Sequence, residues 1–402
     1  MIRIVFTADN HLNRYYAKMT PTQLSERRQR LREAFAKTVD YAIEHGCHFY
    51  LHAGDLFDSP HPRTSELVWV ARQFRRLKEA GIEILAIGGS HDVPKMRVDG
   101  ATPQRIFDEL GVARVFTKVT EVEFAEFEIE GMTIAIGGLP PDPRLRKEDD
   151  PLKDVEISPP EADVVLLLTH YGVEGKIHPK AEEPFLSKAA IAKLKGVDFL
   201  LAGHLHRMAN LQIADVAVLI PGATERMTFG EVKNAPGFWY LEFRPHRLDA
   251  AGPKGPSPAG KRVRHRLRYV RIKPQPMHRV EIRTTDLPPD DPTGYLLERI
   301  REVSRPDLLL QCRLEGPLTR EVYHRLRFFD IWHVGNELNF FFELDKRGVY
   351  LEAGRRPPSE PFAERMSVRK EIEVTAQAMM NEAGPEERGL IEEAKELIFS
   401  RY

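Results

Sequence analysis

Ile2-Arg-Ile-Val-Phe-Thr-Ala-Asp-Asn-His11 decides how this chain is read. A run of β-branched and apolar residues, too short for a helix, ends in a carboxylate and an imidazole two positions apart. An apolar run that ends in a polar, metal-binding type of side chain returns four times. Phe49-Tyr-Leu51 leads to Gly54-Asp55, and Ile82-Glu-Ile-Leu-Ala-Ile87 leads to Gly89-Ser-His-Asp92. Val164-Val-Leu-Leu-Leu168 precedes Thr169-His170, and Val197-Asp-Phe-Leu-Leu201 precedes Gly203-His-Leu-His206. Short apolar runs bounded by glycine read as buried strands, so each polar group stands where a strand gives way to a loop. Open α/β sheets place their ligands there.

The spacing points to metal. Strand side chains alternate with period two, so Asp9 and His11 share a side, as do His204 and His206. Each pair offers two ligands to one ion or to adjacent ions. Carboxylate mixed with imidazole suits Mn, Fe or Zn better than the all-oxygen shells of Ca or Mg. Glycine beside Asp55 and His204 lets the backbone come close to the ions. Any one of these dipeptides is an ordinary turn; the ordered set, each behind its own strand, is not.

In that order, D-x-H, G-D, G-S-H-D, H and G-H-x-H, the set resembles the calcineurin-like metallophosphoesterases. Ala53-Gly-Asp-Leu-Phe-Asp58 and the long helix before it narrow the resemblance to the SbcD type of DNA double-strand-break nuclease. Pro221-Gly-Ala-Thr-Glu-Arg226 and Phe229-Gly-Glu231 are also similar to that type. The likeness is closest over residues 1–245, less close over 265–345 and faint over the last forty. It implies an α/β fold: a four-layer α-β-β-α sandwich, then a small α/β capping domain and a C-terminal helical segment. It implies one ion held by Asp9, His11 and His206, a second held by His170, His204 and position 90, and Asp55 bridging them. His91 matches the catalytic imidazole, near the scissile phosphate and the leaving oxygen, with Asp92 orienting it. The chemistry implied is two ions, Mn by preference, roughly 3.5–4 Å apart, clamping a phosphodiester and activating water for in-line attack. His91 then stabilises or protonates the departing oxygen.

Position 90 departs from the family, which has asparagine where this chain has Ser90. A hydroxyl stops roughly 1.2 Å short of an amide oxygen, about one C=O length. Either water fills the gap and the site works, or the second ion is loosely held and catalysis is weak.

Composition fits an intracellular enzyme. A chain of 402 residues, 42% hydrophobic and 30% charged, has room for two or three domains and is not globally disordered. No run approaches the ~20 apolar residues that cross a bilayer. With no secretory leader at the N-terminus, the expected location is the cytoplasm. Cys47 and Cys312 lack metal spacing and read as reduced core thiols.

The net charge of −1 says nothing about nucleic acid, but its distribution does. Arg262, Arg264, Arg266 and Arg268 fall at period two along a strand whose other side carries Val263, Leu267 and Tyr269. That basic face either tracks a phosphate backbone or is simply solvated. Arg27, Arg28, Arg30 and Arg32 on a helix from about Ser25 to Glu44 read as a solvated face, opposite Leu31, Phe35 and Val39. His45, His48, His52, His61 and His178 lack partners at ligand spacing and read as surface or core.

The expected organisation is a metallophosphoesterase domain over 1–245, a Pro/Gly-rich linker over 246–264, a capping domain over 265–350 and a helical segment over 357–402. The capping domain shows strand patterns at Val280–Ile282, Leu308–Leu314 and Leu338–Phe342, and helical ones at 294–303 and 319–326. It either shapes DNA access or is a packing appendage. In the last segment Phe362, Met366, Ile372, Ala376 and Met379 form one apolar stripe, and Leu390, Ile391, Ala394, Leu397 and Ile398 a second. Such a pair folds back or docks on a partner; the resemblance implies the coiled-coil ATPase subunit called SbcC, and a homodimer. No Gly-rich nucleotide loop is present, so ATPase activity would come from that partner. Two functions stand: a metal-dependent DNA nuclease acting at ends or on single strands, and a DNA-end scaffold with a vestigial site.

Overall fold

The computed structural model describes residues 1–94, 102–177, 182–245 and 263–351, together with Arg388, Gly389, Glu392 and Lys395. Arg262, His178, residues 246–262 of the expected 246–264 linker and nearly all of the C-terminal helical segment lie outside the described residues. No helix among the described residues is long and apolar enough to cross a membrane.

Two six-stranded sheets form the first unit. In one, the strands run in the spatial order Val263–Arg271, Gly237–Pro245, Ile2–Thr7, Phe49–Ala53, Glu83–Ile87 and Arg114–Phe116. The last four of these are parallel and the first two antiparallel. In the other, Val216–Ile220, Phe199–Ala202, Val164–Thr169 and Met132–Leu139 are parallel, with antiparallel edges at Ala209–Ile213 and Glu123–Ile129. Period-two alternation sorts each strand between two cores. Ile4, Phe6, Leu51 and Leu85 join Ile134, Leu166, Leu168 and Leu201 in one cluster. The intervening Val5, Tyr50 and Ile84 pack instead with Leu31, Phe35 and Val39 of the helix Pro21–Glu44 and Val70 and Phe74 of the helix Thr64–Glu79. Burial on both faces is why these strands read as unbroken apolar runs. The fourth layer is thin. Beyond the second sheet, Val165, Leu167 and Leu200 are covered by loop residues such as Leu145, Val155 and Ile157 and by Ile191 of the one-turn helix Lys188–Ile191.

The long helix starts at Pro21, not Ser25, because Thr20 and Gln23 form a capping box and proline suits the first turn. Its basic residues are not a solvated face. Arg27 is fully buried, donating from Nη1 to Gln275 Oε1 at 2.9 Å and lying 3.4 Å from Glu225 Oε2. Arg28 Nε donates to the Arg14 carbonyl, and Arg32 Nε to Glu66 Oε1, both at 2.9 Å. These partners lie far off in sequence, so helical periodicity carried no sign of them.

The strand Val263–Arg271 does not open the second unit. It pairs with Gly237–Pro245 over nine residues, as the edge of the first sheet. Val263, Leu267 and Tyr269 pack into the cluster shared by the two sheets, while Arg264, Arg266 and Arg268 are exposed. The Arg268 guanidinium lies over the rings of Tyr41 and Tyr240, at 5.5 and 5.2 Å. By contacts the first unit is Met1–Arg279 with Ser304–Gln311 and Asn336–Phe342; the second is Val280–Val303, Cys312–Gly335 and the chain from Glu343. A three-stranded sheet of Met277–Arg283, Leu309–Leu318 and Phe341–Leu351 accompanies the helices Pro292–Val303, Arg320–Arg325 and Phe328–Leu338. The last helix occupies the stretch before a strand expected from Leu338, which begins only at Phe341.

Candidate metal centre

All five polar segments follow the C-terminal ends of parallel strands, three from the first sheet and two from the second. The loops are joined by main-chain bonds: Asp9 N to Gly54 O and His11 N to Asp55 O at 3.0 Å, Gly203 N to Thr169 O at 2.9 Å. His170 Nδ1 donates to the Ala53 carbonyl at 2.7 Å, and His204 N donates to Asp9 Oδ1 at 3.1 Å, tying one sheet to the other. Little space is left. A Cβ on Gly203 would stand 2.1 Å from Ala53 O, and one on Gly54, whose φ is +85°, 2.5 Å from His170 Nδ1.

Asp9 and His11 do not meet through the pleat of a strand, as their spacing suggested, because that strand ends at Thr7. Asp9, His11, Asp55 and His204 have φ of +53°, +46°, +53° and +79°. Such left-handed backbone costs a non-glycine residue roughly 1–3 kcal/mol and persists where surrounding structure enforces it. It turns the side chains inward.

Asp9, His11 and His206 bring one ligand atom each within 4.8 Å of one another, and so do Asp9, Asp55 and His170, and His11, Asp58 and the exposed His91. His11 Nε2 and His206 Nε2 are 3.0 Å apart. His11 Nδ1 faces Asp58 Oδ1 at 3.0 Å, and His206 Nδ1 faces Glu231 Oε1 at 3.2 Å. Each outer nitrogen has a carboxylate to donate to, so both inner Nε2 atoms can turn a lone pair towards one cation placed between them. Asp9 Oδ2 is buried beside them with no hydrogen-bond partner. This donor set fits a divalent ion.

The charges agree. Burial would raise the Asp55 carboxyl, but the His170, His11 and His91 imidazoles hold it far below the usual range. Burial would lower His170, yet Asp55 at 3.2 Å raises it to about 9. His206 is raised in the same way, against its burial, by Glu231 and Asp9. The pocket is built around positive charge.

His91 sits at the mouth, 47% exposed, its N–H donating to Asp55 Oδ1 at 2.8 Å and its Nδ1 3.3 Å from the Asp58 carbonyl. Asp92 does not orient it. The Asp92 carboxylate is buried and accepts from Leu56 N, Phe57 N and Gly89 N at 3.0–3.1 Å, bracing two loops, and burial beside Asp55 pushes its pKa up to about 7. Asp58 is the residue beside the His91 ring. Ser90 is exposed, its Oγ 3.5 Å from Asp55 Oδ2. His204 belongs to none of the three close groups; its Nε2 meets Glu183 Oε1 at 2.9 Å. A cavity of about 300 Å³ opens beside Ser90, His170 and His204, walled by Pro141, Tyr171 and Pro184.

Sequence reasoning missed the supporting shell. Asp58 and Glu231 stood in quoted stretches without a role, and Glu183 stands in a loop with no signal. Asn10, between Asp9 and His11, bonds His52 Nε2 at 2.6 Å and Thr224 Oγ1 at 2.9 Å beneath the centre. His52 is thus a core residue, its pKa lowered by burial to about 3. His45 stacks on Tyr41 and His48 Nδ1 accepts from Arg3 N. Neither these nor His61 enter the close groups.

The model of the calcineurin-like phosphoesterase family matches residues 2–208. Among curated proteins, the DNA double-strand break repair protein Mre11 of Haloferax volcanii is 28% identical over 318 residues, 79% of this chain and 62% of that protein. Its namesake from Saccharolobus solfataricus is 29% identical over 235 residues, covering 58% and 57%. That from Halobacterium salinarum is 25% identical over 317 residues, covering 79% and 71%. The chain spans about 60% of the length of the first two.

Proposed function

The chain belongs to the calcineurin-like phosphoesterase family, and from that premise we propose that it is a two-metal DNA phosphodiesterase that trims ends in double-strand-break repair. One observation carries the reading: Asp9, His11, Asp55, His170 and His206 converge at strand ends, the first three on left-handed backbone, with Asp9 Oδ2 buried and without a hydrogen-bond partner. Similarity to Mre11 proteins reaches beyond the phosphoesterase segment and supports DNA as the substrate.

Asp9, His11 and His206 would hold one ion, His170, His204 and Ser90 the other, and Asp55 both. When bound, divalent ions, Mn by preference, polarise the phosphodiester and lower the pKa of water. The protein does the rest. Asp58 and Glu231 keep the Nε2 lone pairs of His11 and His206 turned inward. His91 donates its Nδ1 hydrogen to the Asp58 carbonyl, which leaves Nε2 to face the substrate. As an imidazolium it donates that second proton to the departing sugar oxygen. Asp92 fixes the loop on which His91 stands.

The second unit would shape DNA access, the protein would act as a homodimer, and an SbcC-type coiled-coil ATPase would dock on the C-terminal segment. Arg264, Arg266 and Arg268 are the proposed backbone contacts, with Arg262 next to them in sequence. Exposed Ser90 keeps one other reading open, an end-binding scaffold with a weak site. The test is Mn-dependent degradation of labelled linear duplex and single-stranded DNA by the purified chain, with Asp55→Asn as control. Cleavage lost in that variant, with its metal, supports the nuclease. DNA binding without cleavage by the wild type supports the scaffold.

A further inference from the structure

Four imidazoles surround the centre, and in each an oxygen has already taken one ring nitrogen. For His11, His206 and His170 that nitrogen is Nδ1, bonded to Asp58, Glu231 and the Ala53 carbonyl. His204 is different. Its Nε2 is taken, by Glu183 Oε1 at 2.9 Å. An ionised carboxylate only accepts, so Nε2 carries the hydrogen and the lone pair falls on Nδ1. The His204 main chain is fixed separately, by its φ of +79° and its bond to Asp9 Oδ1. Ring rotation about the side-chain bonds is what remains to be restrained. Among the groups lining the cavity beside Ser90 and His170, Glu183 makes that contact.

We infer that Glu183 is a positioning residue for the second metal, holding His204 in the tautomer and rotamer that turn Nδ1 towards the ion. The inference rests on the two-metal reading above. Glu183 does for that ion what Asp58 and Glu231 do for the first. The demand is greater there, because Ser90 offers a short hydroxyl where an amide oxygen would reach further. A loosened His204 would leave the second ion with little beyond Asp55 and His170.

The test uses the full chain, stripped by a chelator and titrated with Mn(II). Bound ions are counted by elemental analysis, and the affinity of the second is read by calorimetry. Glu183→Ala is expected to weaken the second ion about 10- to 100-fold and leave the first unchanged, the usual effect of removing an outer-shell partner. Glu183→Gln is expected to stay within a few-fold of wild type, since its amide oxygen accepts the same bond. Wild-type affinity in Glu183→Ala overturns the assignment. So does a Glu183→Gln variant as impaired as Glu183→Ala, which would make the carboxylate charge itself the ligand. A wild type that takes up fewer than two ions overturns the two-metal reading, and the assignment with it.

Discussion

At the scale of the residue, three side chains carry separable predictions. Ser90→Asn places an amide oxygen where the second ion is proposed to bind. Cleavage at limiting Mn is expected to rise more than at saturating Mn; superimposable Mn titrations would mean that another donor already completes the site. His91→Ala should cut turnover by roughly 10²- to 10⁴-fold, the range for a positioned acid or base. Metal content should hold, because the His91 ring bonds the Asp58 carbonyl and lies at the mouth; metal lost together with activity would make His91 a ligand. The third prediction concerns pH. His170 in the metal-free protein has a pKa raised to about 9, so an ion must displace its proton below that pH. Apparent Mn affinity should therefore climb between pH 6.5 and 8.5 and level off above about 9. Calorimetry in two buffers of different ionisation heat would register the proton released, and an affinity flat across that range would contradict it.

At the scale of the element, the long helix shows how far a periodic pattern can be trusted. Leu31, Phe35 and Val39 lie in the core as their spacing demands, because burial of one helical face is a local property of the sequence. In the sequence Arg27 is one more charge in a basic cluster, yet it is fully buried between Gln275 and Glu225. Removing it strands a buried carboxylate. Arg27→Leu is expected to cost about 3–5 kcal/mol in urea unfolding, the usual loss when one partner of a buried ion pair is removed. A loss like that of an exposed substitution, under ~0.5 kcal/mol, would show that Glu225 finds another partner. The edge strand Val263–Arg271 teaches the same lesson. Its alternation was legible, but its pairing with Gly237–Pro245 was not, since the two are separated by a Pro/Gly-rich stretch that resembles a boundary.

At the scale of the whole molecule, the organisation makes one more prediction. Truncation before Pro357 removes the two apolar stripes and should leave cleavage of short single strands intact while abolishing co-purification with the proposed ATPase partner; a truncated chain that still pulls down that partner would place its docking surface elsewhere. The sequence alone determined the α/β class, the strands behind the five candidate ligand segments, the order of those segments and the odd residue at position 90. Each is written locally, as an apolar run, a glycine or a polar group at its end. Tertiary structure decided the rest. It turned Asp9 and His11 inward through left-handed backbone rather than through a pleat, and moved Asp92 from His91 to the loop amides. It supplied Asp58, Glu183 and Glu231 as the oxygens that hold three of the imidazoles. The reason is physical: a hydrogen bond to a ring nitrogen depends on atoms brought together from distant strands, and no spacing along one chain records that meeting.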